Sequence, residues 1–143
     1  MSPQFADSSA TYGQAATPAA TSRRRLLLLE DHADTARMLA RVLKRLGYEV
    51  THHGTVAEAV AEVRERPDAY HLVLSDIGLP DGRGTDLARV LPARLKQRSV
   101  AISGYGTDDD IAASLDAGFQ KHLVKPVDLD LLQKILEDLC GDA

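Results

Sequence analysis

Short apolar runs and longer stretches of helical period alternate along the chain. The runs fall at 26–29, which is four consecutive leucines, and at 48–51, 72–74, 100–102 and 123–124. Each is short enough to be a strand and is followed by polar residues or glycine. Between the first two, Leu39, Val42, Leu43 and Leu46 recur at helical spacing, with Arg37, Arg41, Lys44 and Arg45 largely on the other side, and Gly47 stops the helix. A second helix opens at Thr55, with Glu58 three residues on as a capping box, and runs to about Arg66 before Pro67. A third follows Thr85 and bends at Pro92. A fourth starts near Thr107, with Asp108, Asp109 and Asp110 at its positive end. A fifth, from Asp128, turns Leu132, Ile135, Leu136 and Leu139 inward.

Strands separated by single helices pair in parallel through right-handed crossovers, which places helices on both faces of the sheet. The pattern therefore predicts a doubly wound α/β domain with a five-stranded parallel sheet. In such folds ligands sit beyond the carboxyl ends of the strands. The residues that end each strand become the candidates for chemistry.

Composition refines this picture at the amino end. Residues 1–22 are mostly Ala, Ser, Thr, Gln, Gly and Pro, with only Phe5 and Tyr12 large enough to bury much surface. Such a segment cannot offset the entropy cost of ordering, so residues 1–24 are expected to be a disordered tail or linker and 25–141 the domain. With 143 residues there is room for one domain and its core. The formal charge is -4, but residues 1–25 set Asp7 against Arg23, Arg24 and Arg25, a net of +2, which leaves -6 on the rest. A folded part that acidic argues against nucleic acid as a direct ligand, because that binding rests on neutralising phosphates.

Cys140 is the single cysteine, so no intrachain disulfide is possible and a reducing cytoplasm is expected. Arg23 to Arg25 ahead of the leucines superficially resembles a twin-arginine signal. The apolar run ends after four residues at Glu30, however, where a signal needs about 7 to 15. No apolar segment approaches the ~18 residues of a membrane span.

At the strand ends stand Glu30 with Asp31, Ser75 with Asp76, Ser103, and Lys125 before Pro126. With the first strand at the centre of the sheet, three carboxylates, a hydroxyl and an ammonium converge on one crevice. Clustered carboxylates repel unless a cation joins them, and oxygen donors of this kind suit Mg²⁺. A flavin or nucleotide site would need a loop of backbone donors after the first strand; the segment Glu30-Asp31-His32, with its two carboxylates, would instead repel a phosphate unless a metal lies between. Asp34 reads as the cap of the first helix and Asp81 as part of a turn with Gly82. His32, His52, His53 and His71 have no ligand spacing and read as surface or loop-packing residues.

Taken together, these motifs resemble the receiver domain of two-component response regulators, over about residues 25 to 141. Leu-Leu-Leu-Leu-Glu30-Asp31 looks like its first strand and acidic pair. Leu-Val-Leu-Ser-Asp76-Ile-Gly-Leu-Pro80-Asp-Gly82 looks like its phosphoacceptor strand and loop. Ala-Ile-Ser103-Gly104-Tyr105-Gly resembles the switch-hydroxyl strand, and His122-Leu-Val-Lys125-Pro126 the lysine and the proline after it. The resemblance implies the flavodoxin-like receiver fold and a phosphoryl group accepted by Asp76 from a phosphohistidine. It also implies Mg²⁺ on Glu30, Asp31, Asp76 and the backbone carbonyl of Gly78, with Lys125 and Ser103 binding the phosphoryl oxygens.

The donor implied is a histidine kinase or a histidine phosphotransfer protein, and the state-dependent protein partner is placed on the face of the fourth helix, fifth strand and fifth helix. A monomer is expected. Two departures stand out. Ser103 replaces the commoner Thr, and His122 stands where many receivers carry a Tyr or Phe switch. Gly104 and Tyr105 after the hydroxyl, with His-Leu-Val-Lys-Pro at the fifth strand, resemble receivers of hybrid histidine kinases. Only about three residues follow the last helix, so a single-domain regulator or a hybrid-kinase receiver is expected. The competing readings are an Mg²⁺-dependent aspartyl-phosphate phosphatase, which would carry Asp-x-Asp after the first strand, and a receiver-like interaction module that is never phosphorylated.

Overall fold

The computed structural model describes residues 23–104 and 106–141. The expected tail, apart from Arg23 and Arg24, and Tyr105 lie outside the described residues. Five strands, β1 (Arg25–Leu29), β2 (Glu49–His53), β3 (Leu72–Asp76), β4 (Ser99–Ser103) and β5 (Lys121–Val124), form one parallel sheet in the order β2-β1-β3-β4-β5. Helices α1 (Ala33–Arg45), α2 (Val56–Glu65), α3 (Gly84–Val90), α4 (Asp108–Ala117) and α5 (Leu129–Gly141) connect and follow them. This is the doubly wound architecture that the alternating pattern predicts. The centre of the sheet is β3, however, with β1 and β4 on either side of it.

Successive side chains of a strand point to opposite faces, and the leucine run uses both. Leu26 and Leu28 join Leu72, Leu74, Val100, Ile102 and Leu123 under Leu39 and Leu43 of α1 and Leu132 and Leu136 of α5. Leu27 and Leu29 join Val73 under Val56, Ala59 and Val63 of α2 and Leu87 of α3. Toward β4 that second face thins to small residues, Ala88, Ala101 and Ala117, closed by Ile77 and Phe119. Burial on both faces explains why β1 and β3 read as continuous apolar runs.

Several local expectations need correction. The second strand starts one residue later and ends two residues later than its apolar signal, because β2 is an edge strand whose residues are all half-buried or exposed. Helix α3 begins at Gly84, ahead of the buried Thr85, and Asp86 accepts from the Arg83 N–H at 3.2 Å. Leu91 then turns extended before Pro92 starts a separate helical turn at Ala93–Lys96. The residue before α1 is His32; Asp34 sits inside the first turn, paired with Arg37, and caps nothing. Thr55 and Thr107 cap α2 and α4 through their side chains. Asp81 does more than turn the chain. Its carboxylate reaches across to accept the Val56 and Ala57 N–H groups at 2.9 and 3.0 Å, closing the amino end of α2. Of the four residues expected to face inward on α5, Leu132 and Leu136 are fully buried, while Ile135 and Leu139 are half-buried.

Candidate functional site: an acidic crevice with one lysine

The parallel register places the ends of β1, β3 and β4 side by side. Leu29 is level with Ser75, and Asp76 with Ile102, so the residues that follow or end these strands open onto one edge of the sheet. Carboxylate oxygens of Glu30, Asp31 and Asp76 lie within 4.8 Å of one another there. Glu30 and Asp76 are buried and Asp31 is exposed. Both oxygens of Asp76 are held: Oδ1 accepts the Ile77 N–H at 2.7 Å, and Oδ2 accepts from Lys125 Nζ at 3.0 Å. Lys125, reaching in from beyond β5, also lies 3.3 Å from Glu30 Oε1. The Lys125–Pro126 bond is cis.

Glu30 is oriented from several sides. Its Oε2 accepts the His32 N–H at 3.0 Å, its N–H donates to the His53 carbonyl, and His52 Nε2 lies 2.7 Å from its carbonyl oxygen. His52 therefore supports the acidic edge, a role its place on an edge strand concealed. The Oε1 of Glu30, by contrast, is buried with no hydrogen bond, the Lys125 ammonium lying beside it. Burial pushes the Glu30 carboxyl above its ordinary range, with the Asp76 charge adding to this, while the His32 N–H and Lys125 oppose it. For Lys125 burial works against the charge, yet the hydrogen bond and charge of Asp76, with Glu30, hold the ammonium above its usual value. Hard oxygen donors, excess negative charge and one buried carboxylate oxygen without a hydrogen bond together fit a divalent cation such as Mg²⁺.

A cleft of about 320 Å³ opens above this cluster, lined by Asp76, Ile77, Gly78, Arg83, Ser103, Gly104, Asp110 and Lys125. Gly78 is exposed and pairs with Arg83 in a two-residue antiparallel ribbon, Gly78–Leu79 against Gly82–Arg83, which carries the chain from β3 to α3. Ser103 is 4% exposed. Its Oγ lies 2.9 Å from Nε2 of His122, whose Nδ1 lies 2.7 Å from Ser114 Oγ on α4. Reading from the sequence missed Arg83, Asp110 and Ser114. Asp110 was visible in principle, since it stands in the first turn of a helix entered from a strand end, where this fold places ligands.

The chain that carries this crevice matches a known family. Residues 26–137 match the family model described as the response regulator receiver domain. The response regulator protein PilR of Pseudomonas aeruginosa is 34% identical over 116 residues, which is 80% of this chain and 26% of that protein. The photosynthetic apparatus regulatory protein RegA of Cereibacter sphaeroides is 35% identical over 106 residues, 73% of this chain and 56% of RegA. The chain thus spans about a quarter to a half of the length of such relatives. Among solved structures, a two-component response regulator from Clostridium difficile superposes with a TM-score of 0.74 at 22% identity, covering 81% of this chain and 94% of the other. The non-phosphorylated HemR receiver domain from Leptospira biflexa gives 0.70 at 29% identity, covering 81% and 93%. This chain belongs to the response regulator receiver domain family of two-component signalling.

Proposed function

We infer that Asp76 is the phosphoacceptor of this receiver, taking a phosphoryl group from the phosphohistidine of a kinase or a histidine phosphotransfer protein. The observation that carries the reading is the Lys125 ammonium, 3.0 Å from Oδ2 of a buried strand-end aspartate that shares its crevice with two further carboxylates. In the transfer an Asp76 oxygen forms the new O–P bond as the P–N bond of the phosphoimidazole breaks, and the leaving imidazole keeps the electron pair. Two anions must meet for this to happen. Lys125 offsets that repulsion from one side, and its position fixes the approach. Glu30, Asp31, Asp76 and the Gly78 carbonyl would hold Mg²⁺, which when bound supplies positive charge to the equatorial phosphoryl oxygens. Ser103 would then donate to one of those oxygens.

The partner surface proposed is the α4, β5 and α5 face, and the module works in the cytoplasm as a monomer, as a single-domain regulator or as the receiver of a hybrid kinase. Acetyl phosphate with Mg²⁺ should add one phosphoryl group per chain, and Asp76→Asn or excess EDTA should abolish the label. Undiminished labelling of the variant would refute the assignment. Continuous turnover of a phosphate ester, in place of stoichiometric labelling, would point to the phosphatase reading instead.

A further inference from the structure

Ser103, His122 and Ser114 form a chain of hydrogen bonds from the crevice, across β5, to α4. Ser114 Oγ also lies 2.9 Å from the carbonyl of Ile111, which can only accept, so the single Ser114 hydrogen goes there. Ser114 must then accept from His122, which puts a hydrogen on Nδ1. With a neutral ring, Nε2 is left as an acceptor, and Ser103 has to donate to it. With a doubly protonated ring the same bonds all survive, but Nε2–H donates to Ser103 and the Ser103 hydrogen is turned elsewhere. These two states differ by one proton and by where the Ser103 hydrogen points.

That difference matters because a phosphoryl group on Asp76 offers only acceptors. Resting on the acceptor reading above, we propose that His122, held by Ser114, is a proton-linked positioning residue for Ser103: ring protonation releases the Ser103 hydrogen toward the phosphoryl group, and phosphorylation in turn favours the protonated ring. Donation by Ser103 into the crevice leaves Nε2 facing an oxygen lone pair unless Nε2 carries a hydrogen. The coupling is reciprocal by linkage. The elements packed against the His122 side of the sheet bring charges of both signs. On α4, Asp110 stands one turn before Ser114 and lines the cleft, while Asp108, Asp109 and Asp116 are exposed. Past Ser103 on β4 lies the Asp76 and Lys125 pair, and Lys121 adjoins it on its own strand. The negative charge added at Asp76, about -1.5 to -2, acts in the same direction as the hydrogen-bond argument.

The test follows the His122 ring nitrogens of the full chain by NMR against pH, with Mg²⁺ alone and with Mg²⁺ and beryllofluoride. Without beryllofluoride the neutral ring should carry its hydrogen on Nδ1. With it, the titration midpoint should rise by about one pH unit, matched by about tenfold tighter beryllofluoride binding at low pH than at high pH across the imidazole range. His122→Phe should flatten that dependence relative to the wild type. Ser114→Ala, a milder change, should weaken the Nδ1 preference and shrink the midpoint change. An Nε2–H tautomer in the free protein, or an unmoved midpoint while the Ile77 and Lys125 amides report a filled crevice, would overturn the coupling and leave the acceptor reading intact. If those amides do not move either, the acceptor reading fails and the coupling falls with it.

Discussion

At Glu30 the two oxygens of one carboxylate meet different surroundings. Oε2 is held by a backbone N–H, while Oε1 is buried without a hydrogen bond beside Lys125. Because burial raises its pKa, the folded chain binds this proton more tightly than the unfolded chain does. The sign follows: stability from this group is greatest below the ordinary carboxyl value, falls as pH rises from there through the raised folded value, and stays reduced above it. Glu30→Gln should therefore raise the metal-free stability near neutral pH by about 1 kcal/mol, or about 4 °C in melting temperature, and flatten that part of the pH profile. The same variant should lose most of the stabilisation that Mg²⁺ gives the wild type. Melting curves across pH, with and without Mg²⁺, decide this, and a less stable metal-free variant would mean that the pairing with Lys125 outweighs the burial. The sequence placed Glu30, Asp31, Asp76, Ser103 and Lys125 at strand ends, because a parallel sheet brings such ends to one edge whatever the strand order. His52, Ser114 and Arg83 were not legible in that way. They enter from an edge strand, a helix flank and a short ribbon, whose alignment depends on packing and not on periodicity.

Among the connecting elements, the junction of β3 with α3 is built most tightly. A Cβ on Gly84 would stand 2.0 Å from the Asp76 carbonyl oxygen and 2.9 Å from Ser75 Oγ, and the Gly84 N–H donates to the Ile77 carbonyl at 2.8 Å. The start of α3 therefore lies directly against the backbone of Asp76, which cannot yield as the tip of a long side chain could. Gly84→Ala should cost about 2–3 kcal/mol of stability and slow phosphorylation by displacing Asp76. Gly104→Ala makes a fair control, since nothing lies within 4 Å of a Cβ there, and should cost less than about 0.5 kcal/mol. Denaturant unfolding together with acetyl phosphate labelling separates the two; equal behaviour of both variants would remove the proposed rigidity of this junction. A helix after Thr85 was expected, but the glycine that opens it was not, because a close backbone approach leaves no periodic trace. The same reasoning covers Asp81, whose turn was legible while its capping of α2, 25 residues away in sequence, was not.

Across the whole molecule, the two faces of the sheet are unequally equipped to respond to a charge at Asp76. Helix α1 meets the sheet through Ala36, Leu39 and Leu43, which carry no charge and no hydrogen-bonding group to follow one. On the other side of Asp76, β4 ends in Ser103 and the loop after it rests on β5, where a Cβ on Gly106 would stand 2.8 Å from Val124 Cγ2. Any inward movement of that loop must displace Val124, which is exposed, as are Leu115 on α4 and Leu129 and Leu131 on α5. Ser114 and His122 extend the same linkage into α4 by hydrogen bonds. Since packed elements shift between discrete arrangements rather than deform continuously, the response should concentrate where these contacts are shared. Amide chemical shifts with and without beryllofluoride should therefore change most, beyond the crevice itself, between residues 104 and 125, with smaller changes along α5. His122 bonds at both ring nitrogens and lacks the bulk of the usual aromatic, so the movement of β5 should be small and should depend on pH through the imidazole range. Changes centred on α1 and α2, with 104–125 still, would show that the signal leaves the crevice by the opposite face.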